Sequence, residues 1–275
     1  MKQLAIVGFG LVGASLAAAV RAADSAIEIV AVDRAEVVTS AAARRLADEL
    51  VDVADRAHVV AIAEHADICV LSAPVRVIAA ELPALLERAR IVTDCGSTKR
   101  AICAAVAGAP RRGRFVPGHP MAGGPEGGAD HARADLFRDQ TWLLCPELSD
   151  ADAVESVEAL IALTGATIAH LETEAHDHAV AYTSHAPQIM ASALAVLSAN
   201  ADAVVAAGPA YRATTRSAGG AEAMWRDIFA TNADEISAAL RQISSELAGA
   251  AAGLASSPPD SGAALALLQR ARALR

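Results

Sequence analysis

Aromatic residues make up only 3% of these 275 residues, so alanine, leucine, valine and isoleucine must fill any core. The hydrophobic share of 54% is enough for one large domain or two ordinary ones. An excess of basic charge is missing too. The net charge is −9 and no basic stripe stands out to neutralise phosphates, which excludes a nucleic-acid partner. No block of like charge marks a tail. Cysteine is scarce and unpaired in sequence: Cys69, Cys95, Cys103 and Cys145 form no C-x-x-C motif. Scattered thiols of this kind read as reduced core residues of a cytoplasmic protein. The ligand spacing of a structural zinc site is absent, and His176 and His178, two apart, cannot share a helix face, so no metal is expected. The opening "MKQLAIVGFGLVGASLAAAVRAAD" has the outline of a secretory signal, but its glycines point to another use. No other apolar run could span a bilayer without a charge or a helix breaker, so no membrane partner is expected.

What the chain does have is alternation. Apolar runs at 4–8, 28–33, 67–74, 90–97, 114–120, 141–146 and 166–171 read as strands, with helical patterns among them. Valine- and isoleucine-rich strands separated by helices predict an α/β fold, a Rossmann-type doubly wound parallel sheet. After about Leu171 the strand signals stop. Residues 174–200 and about 221–254 read as long helices, "SSPPD" (256–260) breaks the second, and a short helix closes the chain. The expected organisation is a dinucleotide-binding domain over 1–171 and an all-helical domain over 172–275. The helical part is too apolar to stand uncovered, which predicts a homodimer built on it.

Gly8, Gly10 and Gly13 form G-x-G-x-x-G directly after the first strand and at the opening of a helix. Asp33 follows twenty residues later at the end of the second strand. In that context the glycines serve a tight turn, close approach of a pyrophosphate, and helix-on-sheet packing. Asp33 would accept hydrogen bonds from a ribose hydroxyl and repel a 2′-phosphate, which favours NAD, whereas Arg34 beside it is able to accommodate the phosphate of NADP. Phe9, Leu11 and Val12 in the loop, with Ser72 and Pro74 at the end of a later strand, complete the candidate cofactor-binding set. The simpler alternative is that the glycines only make turns.

Two further residues lie just past strand ends, where open α/β sheets bind ligands. Ser97 follows Asp94 and Gly96, and its plainer role is to cap the helix beginning near Lys99. His119 sits in "RFVPGHPMAGGPEGG" (114–128), where Gly118 and Pro120 constrain the backbone so that the ring is presented rather than buried. In the second half, His178 and His185 are seven apart and expected on one helix face. The stretch 211–229 gathers arginines, hydroxyls and Trp225, and an arginine is the usual device for holding a carboxylate.

Taken in order, "VGFGLVGASLA", "TDCGSTK", "GHPMAGG", "HDHAVAYTSHAP" and "TTRSAGGAEAMWRDIFATN" resemble the prephenate/arogenate dehydrogenases of tyrosine biosynthesis over almost the whole chain. The resemblance implies an NAD(P)-binding domain followed by a helical dimerisation domain. It implies that His119 takes the proton of the ring C4 hydroxyl as hydride leaves C4 for the nicotinamide, after which the ring carboxylate departs as CO₂. Ser97 would hydrogen-bond the same hydroxyl or His119, Arg216 would bind the ring carboxylate, Trp225 would wall the site, and His185 matches a substrate-side histidine. The chain departs from the family pattern at four places. Gln188 stands where many members have a second histidine, Pro125 and Ala213 where many have acids, and "GPAY" (208–211) where a glycine-rich run is usual. All lie on the substrate side, so prephenate, arogenate and the 4-amino analogue of prephenate all remain open. Two competing readings are a hydroxy-acid or imine reductase of the same layout and a non-catalytic dinucleotide sensor. The first usually depends on a lysine or aspartate in the helical half, which here holds no lysine. The second would not need His119, Ser97 and Arg216 together.

Overall fold

The computed structural model describes residues 1–124, 126–199, 202 and 205–274. They fall into two compact units, and the division is not a single cut. The first unit takes Met1–Ala179 and returns for Gly219–Thr231; the second takes Val180–Ala218 and Asn232–Arg275.

The first unit is built on a six-stranded parallel sheet of Gln3–Val7 (β1), Glu28–Asp33 (β2), Glu49–Asp52 (β3), Ile68–Leu71 (β4), Val92–Asp94 (β5) and Phe115–Val116 (β6). Its order is β3-β2-β1-β4-β5-β6, the doubly wound arrangement whose direction reverses between β1 and β4. Strands covered on both faces have no polar side, which is why "LAIV" and "ICVL" are continuous apolar runs. Successive side chains still alternate between faces. Leu4 and Ile6 join Leu16, Phe137 and Trp142 in one buried cluster; Ala5 joins Leu71, Ile78, Leu82 and Phe115 in the other. Helices Leu11–Ala23 (α1), Ala41–Leu46 (α3) and Ala151–Ala162 (α7) belong to the first cluster, with Val37 of the short helix Ala35–Val38 (α2) packed against it, and Arg56–His65 (α4), Val75–Leu86 (α5) and Arg100–Ala105 (α6) belong to the second.

Among the strands, three features differ from the sequence reading. Strand β3 was not expected, because "ELVD" is short, carries two acids and contains no apolar run. The single strand expected over 114–120 is two. Pro117 has no N–H to donate to a ladder. The chain leaves the parallel sheet after Val116 and Gly118–Pro120 (β7) opens a second sheet. There β7 pairs antiparallel with Thr141–Leu144 (β8), and β8 pairs parallel with Thr167–His170 (β9). The last two strands therefore lie outside the doubly wound sheet.

In the helical segments, the helix expected over 174–200 is Thr173–Val180 (α8), one π-helical turn at Ala181–His185, and Ala186–Leu197 (α9). Pro187 lacks the N–H that would bond four residues back, and its ring crowds that carbonyl; a widened turn relieves both. The extra residue in the turn also breaks the seven-residue repeat. His178 is exposed and His185 buried, so the expected shared face does not exist. The helix expected over 221–254 is likewise two, Glu222–Thr231 and Ala233–Leu254, interrupted at the buried Asn232. Helix Pro209–Thr215 was not anticipated; Gly262–Ala273 is the expected closing helix. Among the described residues, no helix is long and apolar enough to cross a membrane, and no group of three or more His, Cys, Asp or Glu is arranged to hold a metal ion.

Candidate active site

The glycine loop is determined by sterics. Gly8 adopts φ +98°, and a Cβ there would lie 2.2 Å from the Ser72 carbonyl oxygen. A Cβ on Gly13 would lie 2.1 Å from the Gly8 carbonyl oxygen, so α1 can sit this close to β1 only with glycine there. Gly10 is different, because nothing lies within 4 Å of its Cβ position. It leaves open space at the start of α1, whose first turn has neither a side-chain cap nor an acidic residue. Uncapped N–H groups and the positive end of the helix dipole suit an anion. The loop thus fits a dinucleotide pyrophosphate. Leu11 and Val12 are half-buried there, while the Phe9 ring is wholly in the core. Phe9 contributes through its backbone, and its N–H donates to Asp33 Oδ2 at 2.6 Å.

Asp33 Oδ1 also accepts the Arg34 N–H at 2.7 Å, which holds the carboxylate at the end of β2. The Arg34 guanidinium lies 2.8 Å from Glu36 Oε1 and 3.9 Å from Asp33 Oδ1. Three charges in a row leave that corner net negative, which disfavours a 2′-phosphate. Ser72 follows β4 and is half-buried; Pro74 precedes α5 and is exposed.

His119 is anchored from two sides. On the backbone side, Gly118 N–H donates to Asp94 Oδ1 at 3.0 Å, and Lys99 Nζ donates to the Gly118 carbonyl at 2.6 Å. Lys99 Nζ also pairs with Asp94 Oδ2, and both side chains are fully buried. On the ring side, His119 Nδ1 lies 2.9 Å from His176 Nε2, and His176 Nδ1 lies 2.8 Å from Asp177 Oδ1. Asp177 accepts in addition the backbone N–H of Lys99 at 2.7 Å and of Arg100 at 3.0 Å. Burial lowers the pKa of His176, and the bond to Asp177 does not outweigh it. Burial by itself raises that of Asp177, but the bonds from His176, Arg100 and Lys99 hold it below the usual carboxylate range. The histidine is therefore neutral and the aspartate charged.

Asp177, rather than Ser97, receives the first N–H groups of α6, so the Ser97 hydroxyl is not used as that cap. Ser97 is half-buried three residues past β5, and the bond from Gly118 to Asp94 ties the same strand end to the His119 strand. Trp225 also belongs to the first unit, half-buried on Glu222–Thr231 with its ring 5.5 Å from that of Phe229. His185, Gln188 and Arg216 belong to the second. His185 and Gln188 are buried, with His185 Nδ1 3.3 Å from Asn232 Nδ2, and Arg216 is exposed at the end of Pro209–Thr215. Pro125 lies outside the described residues. His176, Asp177, Lys99 and Asp94 were not anticipated as site residues. The residues stand in "HDH" and "TDCGSTK", but their partners lie 57 and 78 positions away, beyond the reach of any spacing rule.

The family model described as the nucleotide-binding domain of prephenate dehydrogenase matches residues 16–170, and that for its dimerization domain matches 172–261. The chain belongs to the prephenate dehydrogenase family. It is 30% identical over 243 residues to a cyclohexadienyl dehydrogenase of Zymomonas mobilis, covering 84% of this chain and 81% of that one. A prephenate dehydrogenase of Bacillus subtilis is 31% identical over 244 residues, and the match spans 64% of its length. Among solved structures, a prephenate dehydrogenase of A. aeolicus in complex with hydroxyphenyl propionate and NAD+ aligns with TM-score 0.79 at 26% identity, covering 90% of this chain and 89% of that one. Synechocystis arogenate dehydrogenase aligns with TM-score 0.74 at 26% identity, covering 97% and 96%.

Two outcomes follow for this member of the prephenate dehydrogenase family. A methyl group on Gly118 would sit 2.7 Å from the Asp94 carbonyl, 3.1 Å from Trp142 Nε1 and 3.2 Å from Thr93 Oγ1, all buried. Gly118→Ala should destabilise by about 1–3 kcal/mol, read as a lower urea midpoint, and lower kcat more than cofactor affinity. The second outcome concerns pH. Both His176 and Asp177 have depressed folded pKa values, so the unfolded chain takes up these protons first on acidification. The stabilisation is complete about one unit above the unfolded histidine value of about 6.5 and is lost progressively as pH falls through that value, the aspartate share going below about pH 4. The urea midpoint should drop between about pH 7.5 and about pH 5.5, and His176→Gln should flatten that drop.

Proposed function

We propose that the chain catalyses NAD-dependent oxidative decarboxylation of prephenate, arogenate or both, with residues 1–171 holding the cofactor and 172–275 supplying substrate contacts and a dimer surface. The observation that carries this reading is a half-buried histidine anchored through both backbone and ring at the carboxyl end of a Rossmann sheet, in a chain of this family. Gly8, Gly10 and Gly13 with the start of α1 would hold the pyrophosphate, and Asp33 the ribose. NAD bound there supplies the hydride acceptor.

His119 acts as the base. It takes the proton of the C4 hydroxyl as the C4 hydride departs, and Ser97 orients that hydroxyl. Loss of the ring carboxylate as CO₂ then leaves a phenolate, driven by aromatisation. The protonated His119 can return its proton to the phenolate oxygen, so the overall reaction releases none. The family resemblance assigns Arg216 to the ring carboxylate, Trp225 to the wall of the site, and His185 and Gln188 to the substrate side chain. Gln188 is neutral and both donates and accepts, so it discriminates less between a ketone and an ammonium than an imidazolium would. Both substrates should therefore turn over, with a slight lean to prephenate. The match to a dimerization domain, together with exposed Leu194, Leu197, Leu247, Leu265 and Leu268, supports a homodimer through the helical half. A biosynthetic role of this kind fits the cytoplasm.

Steady-state reduction of NAD and NADP with prephenate and with arogenate tests the reading. Turnover of both substrates is expected, with higher kcat/KM for NAD; equal efficiency with NADP would mean that Arg34 outweighs Asp33 and Glu36. His119→Asn should lower kcat by about 10²–10⁴-fold with little change in NAD affinity, and near-normal kcat would remove it from the mechanism. Arg216→Lys keeps the charge but loses the two-pronged geometry. KM should rise about 10–150-fold, the worth of roughly 1.5–3 kcal/mol in a charged hydrogen bond, and a fall in kcat alone would assign Arg216 to the transition state instead.

A further inference from the structure

Behind His119 a polar chain runs inward and ends at the N-terminus of a helix. Its members are His176 and Asp177 on α8, both with no exposed surface, and the Lys99 and Arg100 backbone N–H groups that open α6. We propose that His176 and Asp177 are positioning residues that fix the tautomer of His119 and share the positive charge it acquires on taking a proton. This rests on the role of His119 as base.

The donors and acceptors permit one arrangement. Asp177 is a carboxylate and can only accept, so the 2.8 Å contact puts the proton on His176 Nδ1. Burial keeps His176 neutral, which leaves a lone pair on its Nε2. The 2.9 Å contact to His119 then requires the proton on His119 Nδ1. The lone pair of His119 is consequently on Nε2, the nitrogen directed away from His176. A free imidazole interchanges its two tautomers; this chain of acceptors selects the one in which the outward nitrogen is the base.

The same chain serves the charged form. When a substrate proton reaches Nε2, the His119 imidazolium keeps its Nδ1–H on His176, whose own Nδ1–H points at a carboxylate. That carboxylate is held by two backbone N–H groups and, at 3.4 Å, by Arg100 Nε, so it has little freedom to reorient. The charged groups facing His176 are Asp177 and Asp94, which favour positive charge there, and Lys99, which opposes it. Burial first, and Lys99 after it, make full transfer of the proton onto His176 costly, so the proton stays on His119, from which it can be returned to product. An aspartate behind a histidine plays a comparable part in hydrolases, holding tautomer and orientation without taking the proton.

The test uses the full chain labelled with ¹⁵N-histidine. In substrate-free wild type at neutral pH, long-range ¹H–¹⁵N correlation should assign His119 to the Nδ1–H tautomer. His176→Gln puts an amide oxygen close to the Nε2 position, so it should keep that tautomer. His176→Phe removes the acceptor, and the Nε2–H form should appear. In kinetics, kcat should fall roughly 10–100-fold in His176→Phe and less in His176→Gln, with the KM for NAD unchanged. The acid limb of kcat should move to lower pH in the phenylalanine variant only, since an imidazolium without its acceptor is the less stable. An Nε2–H tautomer of His119 in the wild type would overturn the proposal. So would equal loss in both variants with the acid limb unmoved, which is the pattern of a merely structural histidine. A wild type inert toward prephenate and arogenate, yet with His119 in the Nδ1–H form, would overturn the dehydrogenase reading and leave the tautomer assignment standing.

Discussion

Lys99 and Asp94 face each other with neither side chain reaching solvent, and the rest of the candidate site is arranged about them. Burying two charges is expensive, and an apolar pair of the same size is often as stable or more so. What an apolar pair could not do is bind the next strand. Asp94 accepts the N–H of Gly118 and Lys99 donates to its carbonyl, so one peptide position is gripped from both ends. The residue that follows is His119. Removing either charge would leave the other buried without its counter-ion, a loss of about 3–5 kcal/mol in comparable cases.

The same lysine joins this grip to a second one. Its backbone N–H ends on Asp177, which also holds His176, which in turn contacts His119. The path closes on itself: Asp94, Lys99, Asp177, His176, His119, Gly118 and back to Asp94. A histidine in such a ring has little choice of rotamer. Catalytic groups lose rate steeply with small misplacement, and a closed buried ring is one way to prevent it. The cofactor side achieves rigidity differently. At Gly8 and Gly13 the backbone is packed so closely that a methyl group has no place, and Asp33 ties the loop to β2 through the Phe9 N–H.

Much of the first unit was legible because its signals are local. Apolar runs of four or five residues bounded by helices specify buried parallel strands, and G-x-G-x-x-G with a later aspartate needs no long-range information. Strand β3 was missed because its partner supplies what its sequence lacks. Paired with β2 along Val30–Asp33, the acid-flanked "ELVD" needs only Val51 to be buried. The proline at 117 could have divided its strand in advance, since the missing donor is visible in sequence. Pro187 could likewise have divided its helix in advance, but not shown that the outcome would be a π turn that turns His185 away from the His178 face.

The sequence by itself determined the class of the fold and the dinucleotide loop, because each depends on residue types at short spacings, and it offered His119 as the candidate base through the family resemblance. Tertiary structure alone decided what stands behind His119. His119 and His176 are separated by 57 positions, and Asp94 and Lys99 reach Gly118 across 24 and 19. No periodicity connects them. Their meeting depends on strand β7 leaving the main sheet at Pro117 and on helix α8 packing its His-Asp pair against the start of α6. Buried polar groups must find partners wherever the fold brings them, and those partners are a property of the packed chain rather than of any stretch of it.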